Sequence, residues 1–303
     1  MHNHEWLFWL AFNLGVLLAL VVDLGLLRRR PREIRIREAF AETALWVALA
    51  AAFAVGLYFW KGRSSTLEFT AGYLVEESLS IDNLFVFLLI FRYFRVPLHS
   101  QHRVLFWGIL GAMLARGLFI LAGVTLLQRL HWFTYLMGAF LVYVAVKLIG
   151  RGEADVHPER NSMLALVRRF LPVTADYENG RFFVRRGGLY ATPLLFVLVV
   201  MESTDITFAV DSIPAVLGIT RDAFIVYTSN VFAILGLRAL YFAVAGVMDI
   251  FHYLPYGLSV VLAFIGVKML ISGYYTIGTE VALGVIATVL AVSVLASLLR
   301  RRN

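Results

Sequence analysis

The octets Glu76-Glu77-Ser78-Leu79-Ser80-Ile81-Asp82-Asn83 and Asp205-Ile206-Thr207-Phe208-Ala209-Val210-Asp211-Ser212 read alike. Each is acid-x5-Asp, with a small or hydroxylated residue two before the Asp and a polar residue after it. Each lies inside an apolar run of the length, about 20 residues, that crosses a bilayer. The next apolar run after the first octet holds Arg116 and the one after that Lys147. After the second octet the order repeats, with Arg238 and then Lys268. The Arg-to-Lys spacing is 31 residues in the first copy and 30 in the second. Chance pairs single apolar segments readily, but it seldom repeats an order of charge types across three of them.

Outward from these octets the whole chain reads as membrane-embedded. Of its 303 residues, 60% are hydrophobic and 16% charged, and the mean hydropathy is +0.80. Soluble domains are nearer 45–50% apolar and about 25% charged. Nine spans are expected, at 6–27, 40–60, 67–91, 104–126, 132–149, 191–217, 223–247, 254–273 and 277–299. The expected organisation is a two-helix extension (1–66), a three-helix repeat (67–149), a loop (150–190), a second repeat (191–273) and a final helix with a basic tail (274–303). Three is odd, so the second repeat must be inverted, an arrangement typical of secondary transporters with midplane sites. The expected fold is therefore all-α and polytopic, with two inverted three-helix repeats.

The net charge of +7 follows membrane orientation rather than a nucleic-acid partner. Of 27 Lys and Arg, four lie within spans. Nineteen fall on the side of the 150–190 loop and the C-terminus, and four on the other. By the positive-inside rule the N-terminus is expected outside and the C-terminus in the cytoplasm. MHNHEW has no basic n-region, so the first span reads as an anchor, not a cleaved signal. The loop, with a short amphipathic helix expected near Met163–Leu171, reads either as a tether or as a regulatory element.

Ten Asp, Glu, Lys and Arg residues fall within the spans of the two copies, past the first turn of each: Glu76, Glu77, Asp82, Glu202, Asp205, Asp211, Arg116, Lys147, Arg238 and Lys268. At about 2.5–3.5 kcal/mol each, they must pair, face a wet cavity or carry protons. Either they are ion pairs locking helices together or they form a site. Glu76 and Asp82 are about 240° apart on an ideal helix, as are Asp205 and Asp211. Pro214 removes a hydrogen bond to the Val210 carbonyl. Both octet helices are therefore expected to break near the midplane, with Ser80, Asn83, Thr204, Thr207 and Ser212 adding neutral oxygens to the carboxylates. The chain has no cysteine, and its seven histidines sit at span ends or in loops. An all-oxygen donor set suits Mn2+, Mg2+ or Ca2+. Met201 could add a soft sulfur that tilts the preference to Mn2+, although a lone Met in a span usually just packs. The stripe Gly108, Gly111, Ala112 and Ala115 reads as close helix packing. No phosphate loop, dinucleotide fingerprint or Ser/His/Asp arrangement occurs, and no enzyme is expected. An intramembrane aspartyl protease would need a Gly-x-Gly-Asp sequence, which is absent.

The two octets, with Leu84 after the first and Ile213-Pro214-Ala215 after the second, resemble the two signatures of the TerC/Alx family of integral membrane proteins. Thr228-Ser229-Asn230 and Gly236-Leu237-Arg238-Ala239-Leu240-Tyr241 are also similar. The resemblance covers nearly the whole chain and implies a bacterial inner-membrane protein linked to manganese efflux, with kinship to LysE-like exporters. Other members are linked to tellurite resistance and to metal supply for exported proteins. Carried over, it makes Glu76, Asp82, Glu202, Asp205 and Asp211 the expected ion ligands, with Asn83 and Ser212 beside them. The expected activity is export of divalent metal, Mn2+ first, coupled to protons. Glu77, Arg116, Arg238, Lys147 and Lys268 would balance charge or gate. Export of a small organic cation or amino acid, and a non-transporting scaffold, are the other readings. The expected partners are the lipid bilayer, the metal ion and protons, with no nucleic acid.

Overall fold

The computed structural model describes residues 5–21, 36–150, 172–174, 176–185, 188–244 and 253–300. The chain divides into two units, Met1–Ile34 and Arg35–Asn303. The first holds α1 (Glu5–Val21), an apolar helix in which the Asn13 amide donates to the Trp9 carbonyl at 2.8 Å. That bond satisfies a polar side chain within its own helix.

The second unit contains α2 (Ile36–Lys61), α3 (Arg63–Tyr93), α4 (Leu98–Arg129), α5 (His131–Gly150), α6 (Pro193–Leu217), α7 (Ala223–Val244), α8 (Leu254–Leu270) and α9 (Thr279–Arg300). Among the described residues, a helix occupies each of the nine segments read as spans. Six of them, α2, α4, α5, α6, α7 and α9, are long and apolar enough to cross a membrane. The helices α1 and α8 are apolar but shorter. At 31 residues α3 is about 46 Å long, and it carries the acids of the first octet. The chain is an all-α, multi-pass membrane protein.

Three local features depart from the sequence reading. Both octet helices are continuous, so the expected breaks do not occur. Pro214 lies in the last turn of α6, where the lost bond is followed by only three more helical residues. The Gly218 N–H bonds the Pro214 carbonyl at 2.9 Å and closes the end. Second, α4 starts at Leu98 rather than near 104. Its polar first turns find partners: the Gln101 amide donates to the Val96 carbonyl at 3.1 Å, and Arg103 to the Gly180 carbonyl at 2.6 Å. Third, a short antiparallel hairpin precedes α6, with β1 (Phe183–Arg185) and β2 (Leu189–Ala191) in the register Phe183↔Ala191, Val184↔Tyr190 and Arg185↔Leu189. The helix expected near Met163–Leu171 lies outside the described residues.

In the packing, α3 lies on α6 and α7, α4 lies on α6 and α7, and α5 runs along α8. Outside these, α2 covers α3 and α7, and α9 covers α3 and α8. Where α5 crosses α8 the backbones touch. A Cβ on Gly138 would lie 2.8 Å from the Gly266 carbonyl oxygen, and one on Gly266 would lie 2.7 Å from that of Gly138. Small residues permit this approach. The link between α2 and α3 is Gly62 alone, at φ 85°, where an L side chain would be strained.

Two apolar clusters lie at opposite ends of the α4–α6 pair. Toward the hairpin, Val104 and Leu105 of α4 meet Leu194, Val197, Val200 and Met201 of α6, with Phe87 and Phe91 of α3. At the far end, Ile120, Val124 and Leu127 meet Ala209, Ile213, Val216 and Leu217. Between them on both helices are the charged residues.

Candidate metal centre

The charged centre is built around Arg116 of α4, which is 1% exposed. Its Nη2 meets Asp205 Oδ1 at 3.0 Å and its Nε meets Oδ2 at 3.3 Å, a two-point grip from α6. Its Nη1 donates to Asn230 Oδ1 of α7 at 3.1 Å and forms an ion pair with Glu76 of α3. Glu76 has no exposed surface and Asp205 is 5% exposed. Four helices thus meet at one guanidinium. A planar fork with five N–H donors is suited to gripping two carboxylates at once. Removed from water, the three charges are tolerable only because they are paired.

Glu202 lies one turn before Asp205 and lines a cavity with it. The cavity, about 10 Å³, is also lined by Phe87, Gly108, Ala112 and Met201. That is close to the room one water needs. The Glu202 carboxylate rests on Gly111, where a Cβ would come within 2.5 Å of its carboxyl carbon. The small-residue stripe of α4 therefore does more than bring helices together, because it makes room for an acid.

Continuity of the octet helices separates the expected ligands. Asp205 and Asp211, six residues apart, face different compartments, as their helical angle requires. Asp211 lines a second cavity, about 110 Å³, with Asn83, Lys147, Tyr143 and Phe208, between α3, α5, α6 and α8. There the Lys147 ammonium sits 5.7 Å from the centre of the Tyr143 ring. Glu77 accepts a hydrogen bond from Tyr73. The Thr207 hydroxyl donates to the Ser203 carbonyl at 3.0 Å on an exposed face, and Thr204 donates to the Val200 carbonyl. Ser80 and Ser212 are buried, with hydroxyls that find no hydrogen-bond partner among the described residues, and the Asn83 amide nitrogen is in the same position. Arg238 is buried in α7. Lys268 lines a third cavity, beside Glu68. The Asp82 side chain lies outside the described residues.

Of the expected ligands, then, Glu76 and Asp205 meet at Arg116, Glu202 shares a cavity with Asp205, and Asp211 is apart. Among the described residues no three His, Asp or Glu side chains are grouped to hold a metal ion. The sequence does not mark Asn230 as a ligand, although Thr228-Ser229-Asn230 interrupts an apolar run. All three are buried, but the Thr228 and Ser229 hydroxyls bond carbonyls of their own helix, and only Asn230 reaches across.

Residues 61–303 match the model of the integral membrane protein TerC family. The "Uncharacterized membrane protein STKORF319" of Myxococcus xanthus is 45% identical over 296 residues, 97% of this chain and 93% of that protein. The "Thylakoid membrane protein TERC, chloroplastic" of Arabidopsis thaliana is 46% identical over 284 residues, 93% of this chain and 74% of its own. The "Putative membrane-bound redox modulator Alx" of Escherichia coli (strain K12) is 42% identical over 297 residues, 95% of this chain and 92% of its own. No solved structure matches.

Proposed function

This chain belongs to the TerC family of integral membrane proteins, and from that premise we propose that it exports divalent metal, Mn2+ first, by proton-coupled alternating access across the inner membrane. The observation that best supports the reading is the convergence of Glu76 and Asp205, from the two octet helices, on the buried Arg116. Glu76, Asp205 and Arg116 together carry −1, and Glu202, in the cavity with Asp205, brings the charge to −2 when ionised, which one divalent ion cancels. The ion is cargo. It would take the carboxylates from Arg116, and Arg116 would reclaim them when the ion leaves. Glu202, one turn from Asp205, is suited to take up the coupled proton.

The surroundings support the same reading. The cavity beside Asp205 has room for a single small particle, which supports an ion over an organic cation there. Met201 lines it, and a thioether favours Mn2+ over the harder Mg2+ and Ca2+. The apolar clusters at both ends of the α4–α6 pair correspond to a state closed on both sides. The packing also fits two inverted repeats in a nine-span chain. Exchanging α3 with α6, α4 with α7 and α5 with α8 turns the α3–α7 contact into α6–α4 and α3–α8 into α6–α5. It leaves α3–α6, α4–α7 and α5–α8 unchanged, as a pseudo-two-fold axis requires. In this reading the N-terminus is outside, the C-terminus is cytoplasmic and the chain is not an enzyme. The redox role in the name of one relative cannot run through thiols here, because the sequence has no cysteine.

The test is Mn2+ flux in proteoliposomes with and without an imposed pH gradient. Wild type should carry Mn2+ in response to the gradient. Glu76→Gln, Asp82→Asn, Asp205→Asn and Asp211→Asn should each lose most of the flux. A second reading, that the centre only locks helices, is favoured by the close pairing of Arg116. It requires Asp205→Asn protein that remains folded to transport normally, and that result would refute the site. Absence of flux in correctly inserted wild type would refute transport of Mn2+.

A further inference from the structure

At the end of the bundle remote from the hairpin is the third cavity, about 260 Å³. It lies between the first turns of α3 and α5, the ends of α6 and α8, and the segments that follow those two ends. Glu68, Thr134, Arg221, Lys268, Ser272 and Tyr275 are among the residues that line it.

Its hydrogen-bonding capacity is unbalanced. The acids are engaged: Glu68 Oε1 accepts from the Ser64 hydroxyl at 3.3 Å and Oε2 from the Thr220 hydroxyl at 2.6 Å. The neighbouring Asp222 is held by Lys61 at 2.6 Å and accepts the Phe224 N–H at 2.9 Å. The bases are largely unspent. Arg221 donates to the Thr134 hydroxyl at 3.1 Å, using one of its five N–H donors. Lys268 makes no hydrogen bond or ion pair to any described residue. Two cations face one engaged carboxylate, so the cavity has surplus positive charge and surplus donors. A ligand that matches both is a compact anion rich in acceptors.

We infer that this cavity binds a phosphate-type oxyanion, gripped by Arg221 and Lys268. Arg221 offers the planar fork that pairs with phosphate, and Lys268 a point charge. Such an anion has two sources. Tyr275, which lines the cavity, is 68% exposed, and Tyr274 beside it is 96% exposed. Exposed tyrosines at span ends mark the headgroup level of a bilayer, so the phosphate of a lipid headgroup can enter as readily as inorganic phosphate. The site does not depend on the transport reading.

The test uses the purified full-length chain, delipidated in a phosphate-free maltoside detergent at low salt. Equilibrium dialysis with radiolabelled inorganic phosphate should show one saturable site per chain. Lys268→Gln and Arg221→Gln should each weaken it about tenfold, the loss of a charge-assisted bond. Glu68→Gln should tighten it by removing a repelling charge. Lys268→Arg should retain binding, which separates loss of a ligand from loss of fold. Native mass spectrometry after addition of phosphatidylglycerol distinguishes the sources. Retention of one lipid, displaced by phosphate and lost in the double variant Lys268→Gln/Arg221→Gln, identifies the headgroup. Phosphate binding without lipid retention identifies the free ion. Binding of neither, binding unchanged in both single variants, or Mn2+ binding that Glu68→Gln abolishes would overturn the assignment.

Discussion

Arg116→Gln tests the centre directly. The substitution deletes the two-point grip on Asp205, the bond to Asn230 and the ion pair with Glu76. Glutamine is too short and uncharged to replace any two of these together. Two buried carboxylates then face each other with no cation between them. Removing one partner of a buried pair costs about 3–5 kcal/mol. On a protein of this size that is a fall in Tm of about 6–20 °C. The loss should be almost absent in the triple variant Arg116→Met/Glu76→Gln/Asp205→Asn. Replacing an entire buried ionic group with neutral side chains is often neutral or stabilising. The assay is thermal unfolding of purified protein in detergent, followed by circular dichroism and by monodispersity on size exclusion. A fall of less than 2 °C in Arg116→Gln, or a triple variant less stable than the single, would show that the guanidinium is not what holds the two acids.

Three further outcomes are expected. Gly138→Ala places a Cβ 2.8 Å from a carbonyl oxygen and should cost about 1–3 kcal/mol by overpacking, whereas Gly284→Ala, with nothing within 4 Å, should be neutral or slightly stabilising; equal Tm values would refute the backbone contact. Gly111→Ala should alter stability by less than about 1 kcal/mol, because the flexible Glu202 side chain can yield, but should lower Mn2+ flux severalfold by displacing the carboxylate; unchanged flux would remove Glu202 from the site. The Tyr177 hydroxyl donates to the Phe94 carbonyl, and burial raises its pKa above the ordinary 10.0; above about pH 10 the unfolded chain releases this proton before the folded one, so the stability it contributes declines as pH rises, and Tyr177→Phe should flatten that part of the stability-against-pH curve.

What the sequence made legible follows from how each signal arises. Apolar runs, loop charges and the order acid, Arg, Lys are properties of single segments and of their succession, and all nine segments carry helices. Which carboxylates meet is a property of helix rotation. The 240° between Asp205 and Asp211 is legible in the sequence, and a broken helix is one way to bring the two acids together. The alternative, an intact helix with each acid serving a different cavity, needs the neighbours of α6 on both sides. Asn230 was hidden because Thr228 and Ser229 are equally polar, and only the packed bundle distinguishes a side chain bonding its own helix from one that crosses. The early start of α4 was hidden because Gln101 and Arg103 read as loop until the Val96 and Gly180 carbonyls that receive them are in place.

The joint at Gly62 has a mechanical consequence. A single residue between Lys61 and Arg63 leaves no slack, so α2 and α3 move as one lever. α2 is also held to α7: the Phe53 ring packs against Phe232 and Phe224 with centres 5.0 and 6.3 Å away, and Lys61 grips Asp222, just before α7, at 2.6 Å. Under the proposed alternating access, α2 would therefore link the motion of α3 to that of α7. Lengthening the joint by a few flexible residues would uncouple the lever while leaving every side chain of the charged centre in place.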